Sequence, residues 1–164
     1  MLTNMLGFNL AWFGLIYWGN AFIPVAISMI AFHLIKLSDI KNEARLVLLI
    51  TVIGSSIDSL LHFFMFFMFP GSSFMPFWLV ILWACFACTV CHSLTFLSSS
   101  KVLQITIGAI FAPLSYIAGE RLEAVSFGNP LLTTYLILAA IWGGLFILFF
   151  FLKSVMTNTR LAHA

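Results

Sequence analysis

Asp58 stands inside an apolar run, residues 46–69, whose one other ionisable group is His62. On insertion scales a carboxylate at that depth costs roughly 2.5–3.5 kcal/mol unless it is paired, protonated or wetted. An intramembrane acid is therefore a candidate site by default. Ser55, Asp58, Ser59 and His62 fall at i, i+3, i+4 and i+7, so a helix carries them on one face. Asp58 and His62 are one turn apart, which suits them to handle protons as a pair. The alternative is that they satisfy each other and pin helix packing.

Depth counted from the loops at about 1.5 Å per residue brings other polar groups to the same level. Asp58 lies past the midplane from Arg45, toward the outer side, with His62 further out. Asn20, Tyr116, Glu120 and Arg121 are expected near that level. The sequence thus predicts a polar pocket in the outer half of the bundle. Asp58 and His62 would handle protons there, with Asn20, Tyr116, Glu120 and Arg121 as ligand-binding groups. Arg121 is a counter-charge for Glu120, Glu123 or Asp58, or a holder of an anionic head group. The alternative for Glu120, Arg121 and Glu123 is a solvated outer loop.

The elements that must position these groups follow from composition. The 164 residues are 63% hydrophobic and 7% charged, with mean hydropathy +1.15. A soluble domain carries about 25% charge, so most of this chain must face lipid or other helices. The length suits one transmembrane domain, residues 1–164, with no separate soluble unit. No basic patch is large enough for nucleic acid. There is no basic segment before the first apolar stretch, so that stretch is expected to be retained rather than cleaved.

About 20 apolar residues cross the hydrocarbon core as a helix. Four spans are clear: 46–69, 76–97, 102–119 and 131–152. The first apolar segment is interrupted by Trp18-Gly19-Asn20 and Pro24. It reads as two short helices, 4–18 and 21–36, joined by a tight turn. The fold class is all-α, a bundle of about six spans. Lys36, Lys41, Arg45, Lys101, Lys153 and Arg160 then share one side, which the positive-inside rule makes cytoplasmic together with both termini. A five-span reading fuses the first two helices and moves only the N-terminus.

Other features have plainer readings. Cys85 and Cys88 share a helix face with His92, but cysteines within a helix usually fill apolar space, and no metal or cofactor is expected. His92 is expected to bond Thr89, Thr95 or a facing helix, and His33 to snorkel or cap at an inner helix end. The five tryptophans partly mark interfaces, and Phe63-Phe64, Phe66-Phe67 and Phe149-Phe150-Phe151 are mostly lipid-facing bulk. Gly108 with Ala112, and Gly143-Gly144, are small-residue helix contacts. Pro113 is expected to kink the fifth helix.

Ile57-Asp58-Ser59-Leu60, Pro76-Phe77-Trp78-Leu79 with Leu82-Trp83, and His92-Ser93-Leu94 form a recognisable series. It continues through Gly108-Ala109 and Ala112-Pro113-Leu114-Ser115-Tyr116 to Ala118-Gly119-Glu120-Arg121-Leu122. This pattern resembles DUF2878, a family of small bacterial inner-membrane proteins, over nearly the whole chain. Glu123 stands where the family pattern has glycine. The resemblance carries no activity and implies a lipid connection only by association with lipid-modifying genes.

The expected function is an inner-membrane protein that binds or processes a lipid-like or amphipathic ligand. A small proton-coupled transporter or transport subunit, and a non-catalytic assembly partner, are the alternatives, so enzyme activity is left open. Membrane lipids are the expected partners, with a membrane-protein partner or a homo-oligomer as further candidates.

Overall fold

The computed structural model describes residues 2–38 and 42–157; Lys41 and Arg160, used above for orientation, lie outside the described residues. The fold is 81% helical. Helix α1 (Leu2–Trp18) leads through a 3-10 turn (Gly19–Phe22) into α2 (Ile23–Phe32), which ends in a π turn (His33–Leu37). Then come α3 (Glu43–Phe63), strand β1 (Phe67–Met68) and α4 (Phe77–Val90). A second 3-10 turn (Thr95–Ser99), α5 (Lys101–Arg121), β2 (Ser126–Phe127) and α6 (Leu131–Thr157) complete the order.

Leu2–Leu37, Glu43–Phe63, Lys101–Arg121 and Leu131–Thr157 are long and apolar enough to cross a membrane, while Phe77–Val90 is a shorter apolar helix. Leu2–Leu37 is not straight. Gly19 takes φ +56°, a left-handed conformation that glycine adopts without steric penalty. The chain folds back there, with Pro24 in the first turn of α2. Asn4 Nδ2 consequently lies 3.4 Å from His33 Nδ1, 29 positions along the chain. The two short helices read from the sequence form this hairpin.

Helix α4 is central, packed against α1, α2, α3 and α6, and α5 pairs with α6. The α5–α6 approach is close because Gly108 has no side chain: a Cβ there would lie 2.7 Å from the Trp142 carbonyl oxygen. Gly144, by contrast, faces open space. Trp83 and Trp142 stack in the core, centroids 4.9 Å apart and planes 6° from parallel, with Phe86 and Phe149 packed around Trp83. These two tryptophans are therefore core residues rather than interface markers. The phenylalanine runs also divide: Phe63, Phe64 and Phe151 are exposed, whereas Phe67, Phe149 and Phe150 are buried.

Two helices stop earlier than their apolar runs predict. Helix α3 ends at Phe63, where Met65 turns left-handed (φ 61°) and Phe66 N–H closes on the Leu61 carbonyl. The chain then extends into β1, which pairs antiparallel with β2 and ties the α3–α4 connection to the α5–α6 connection. Helix α4 ends at Val90 rather than 97. The Thr89 carbonyl accepts from both His92 and Leu94 N–H, and Asn4 of α1 takes the Ser93 N–H and hydroxyl at 3.3 and 2.7 Å. A polar side chain from another helix thus provides an ending that apolar content alone does not signal.

Candidate functional site

Asp58 lies in the middle of the bundle and is 1% exposed. Its carboxylate accepts the indole N–H of Trp83 at 2.7 Å on Oδ2. The Tyr116 hydroxyl reaches both oxygens, at 2.9 and 3.0 Å. Three helices thus meet at one acid: α3 supplies the acceptor, and α4 and α5 supply the donors. Gly54, one turn before Asp58, makes the geometry possible. A Cβ at Gly54 would fall 2.2 Å from the Trp83 ring. The indole lies against the α3 backbone and directs its N–H at Asp58.

His62 does not join this group, which corrects the expected Asp58–His62 pair. It sits in the last turn of α3, where the chain leaves the helix. Its ring nitrogens lie 2.9 Å from the Phe67 carbonyl and 3.2 Å from the Ser73 carbonyl. The loop that replaces the expected helical extension supplies nearer partners than a carboxylate one turn down. Asn20 is also engaged elsewhere: its Oδ1 accepts from Trp78 N–H at 3.2 Å and caps the start of α4.

Glu120 and Arg121 lie on the rim, away from Asp58. Arg121 Nε is 3.9 Å from Glu120 Oε2, and the Arg121 side chain is 77% exposed. With Pro70, Glu123 and Asn129 they border an open polar depression of about 740 Å³. Tyr116 turns inward to Asp58 although it is one turn from Glu120. Of the predicted site residues, then, the structure joins Asp58 and Tyr116 and separates His62, Asn20, Glu120 and Arg121 from them. Arg121→Ala should change thermal stability in detergent by about 0.5 kcal/mol or less, since exposed ion pairs contribute little. A larger loss would reveal a bound partner at the rim.

Tyr116 and Trp83 also face a groove of about 640 Å³. It runs from Met5, Ser93 and Phe96 at one end of the bundle to Phe69, Trp78 and Val125 at the other. Helices α1 and α5 form its sides and α4 its floor, with Trp142 and Phe146 contributing from α6. The lining is mainly apolar, with Tyr116, Asn9, Thr89, Ser93 and Ser115 as isolated polar groups. Asp58 lies behind this wall and is reached from the groove through Tyr116 and Trp83. The volume is within the range of small-molecule sites, about 300–1,000 Å³.

A second polar cluster lies at the other end of the bundle and was not anticipated. Glu43, the first residue of α3, is 1% exposed although it belongs to a charged connection. Its Oε1 is 3.0 Å from His33 Nε2 and 2.9 Å from His92 Nε2. Counting depth inward from the loops brings His33, Glu43 and His92 near one level, but Glu43 lies in a charged connection and nothing in the sequence assigns it a role. Cys85 and Cys88 take no part in it; both are buried free thiols. Lys153, at this same end, donates to the Val90 carbonyl at 3.0 Å and to the Thr95 and Ser98 hydroxyls.

Fold and site together define a helical bundle of membrane-protein type, with an apolar groove and a buried acid behind its wall. The chain belongs to the family described as protein of unknown function DUF2878, whose model matches residues 1–148. No curated protein and no solved structure matches the chain.

Proposed function

We propose that this chain is a six-span inner-membrane protein that holds the acyl chain of a lipid-like ligand in the groove between α1 and α5. The observation that carries this reading is the groove itself: it is apolar along the height of the bundle and bears a hydrogen-bonded Tyr116–Asp58 pair in its wall. Phe111 and Leu114 are exposed on α5, the helix that borders it, so in a bilayer its edge would meet acyl chains directly. In this reading Asp58 exchanges protons with a bound ligand only through Tyr116, because the carboxylate has no opening of its own. His62 contributes to the loop rather than to that step.

The test is lipid retention. Ala112 lines the groove from α5. Ala112→Phe should displace co-purified lipid, read by mass spectrometry of the detergent-solubilised protein, while helix content and monodispersity stay unchanged. Equal lipid content in the folded variant would remove the groove from the function.

Orientation follows from charge. Lys36, Arg45, Lys101 and Lys153 belong to the end that holds His33, Glu43 and His92, which the positive-inside rule assigns to the cytoplasm. Reporter fusions at Asn4 and Thr159 are expected inside and one at Ser72 outside. An external Asn4 with an internal Thr159 would mean that the first hairpin does not cross.

A further inference from the structure

We propose that His33, Glu43 and His92 form a binding site for one divalent transition-metal ion of the zinc class. One ligand atom from each residue lies within 4.8 Å of the other two. The atoms come from three separate elements: the π turn after α2, the first residue of α3, and the turn that ends α4. Both imidazoles aim Nε2 at the same carboxylate oxygen, at 3.0 and 2.9 Å, and His92 also comes within 3.2 Å of Oε2. The two rings stand nearly perpendicular, 84° apart with centroids at 4.6 Å.

Metal–nitrogen and metal–oxygen bonds of about 2.0–2.2 Å in a tetrahedron separate neighbouring ligand atoms by roughly 3.3–3.5 Å. To admit an ion between them, the two Nε2–Oε1 separations of 3.0 and 2.9 Å need to widen by only a few tenths of an ångström, and all three atoms already lie within 4.8 Å of one another. Two histidines and one carboxylate are a recurrent donor set for zinc and for non-haem iron, and leave a position open for water or another ligand. The His92 side chain, 22% exposed, offers an approach to that position, while His33 and Glu43 are closed off.

Local structure supports the assignment. Single π turns often occur where a helix re-aims a functional side chain, and this one begins at His33. Asn4 stands behind His33. Its amide orientation is fixed by donation to the Cys88 carbonyl at 3.0 Å and acceptance from Ser93. The Asn4–His33 contact is long, at 3.4 Å. Ligation through Nε2 puts the ring proton on Nδ1, where it faces the Asn4 amide N–H, so the two side chains must draw slightly apart and this long contact is given up in exchange for a metal bond. The simpler account, in which two imidazoles only neutralise a buried carboxylate, makes a different prediction.

The experiment is a Co²⁺ titration of the purified full chain in detergent after chelator treatment, followed by visible d–d absorption. The expected result is saturation at one Co²⁺ per chain, reversal by Zn²⁺, and a metal-dependent rise in Tm. Glu43→Gln, which keeps size and one acceptor, and His92→Ala should each weaken Co²⁺ binding by at least about 100-fold, since even outer-shell changes cost 10–100-fold. Helix content and monodispersity must match the parent chain, and His92→Gln replaces any variant that does not fold. The proposal is overturned if the unmodified chain shows no saturable spectrum. It is also overturned if folded variants bind Co²⁺ as before, or if intense sulfur-to-cobalt charge transfer shows the cysteines to be the ligands. The readout is spectroscopic and independent of lipid, so its failure leaves the groove reading untouched.

Discussion

Gly54→Ala is expected to disrupt the core of the bundle around Trp83. The new Cβ would lie 2.2 Å from the Trp83 ring, far inside van der Waals contact. A flexible neighbour could move away, but Trp83 cannot do so freely. It stacks on Trp142 at 4.9 Å and is hydrogen-bonded to Asp58 at 2.7 Å. Overpacking of a core typically costs about 1–3 kcal/mol, and displacement of the indole adds the loss of its bond to Asp58. The variant should show a marked fall in Tm and in monodisperse yield, with altered tryptophan fluorescence. Trp83→Phe in the same chain makes room for the methyl. A double-mutant cycle should then give a strong favourable coupling between the two changes. Additive effects would mean that Gly54 and Trp83 are not in contact.

Part of this arrangement is legible in the sequence, and the physical reasons differ from residue to residue. Asp58 is conspicuous because a carboxylate in an apolar run must be satisfied, and depth counting brings Tyr116 to its level. Trp83 is harder to find, since a tryptophan in a membrane segment is commonly an interface anchor. The available signal is that a buried indole needs an acceptor for its N–H, and a glycine one turn before an acid opens a path to one. His62 shows the opposite failure. Helical periodicity puts it beside Asp58, but the helix ends at Phe63 and the emerging loop supplies backbone carbonyls. Hydrophobicity does not mark that ending, because Phe64 to Phe69 are as apolar as the helix before them. Glu43 was hidden by its neighbours: between Lys36 and Arg45 it resembles a solvated charge, and only the fold shows His33 and His92 closing over it.

The role of Asp58 can be separated from its packing by two substitutions that keep the number of side-chain heavy atoms. Asp58→Leu removes the acceptor and leaves both the Trp83 N–H and the Tyr116 O–H without a partner. Polar pairs within membrane bundles contribute about 0.6 kcal/mol on average and up to about 1.7 kcal/mol each. A destabilisation of roughly 1–3 kcal/mol follows, visible as lower membrane abundance and lower Tm. Asp58→Asn should behave differently. Its carbonyl oxygen can accept from Trp83, and its NH₂ can donate to the Tyr116 oxygen once that hydroxyl rotates. A neutral amide is also less costly to bury than a carboxylate. The Asn variant is therefore expected to fold at near-normal abundance, yet it cannot take up or release a proton. If Asp58 works with Tyr116 on a ligand in the groove, Asp58→Asn and Tyr116→Phe should both abolish the phenotype that complementation of a gene deletion restores. Both chains would remain in the membrane. Full complementation by Asp58→Asn, alongside instability of Asp58→Leu, would make the acid a fastener of three helices. The groove would then have to act without proton exchange.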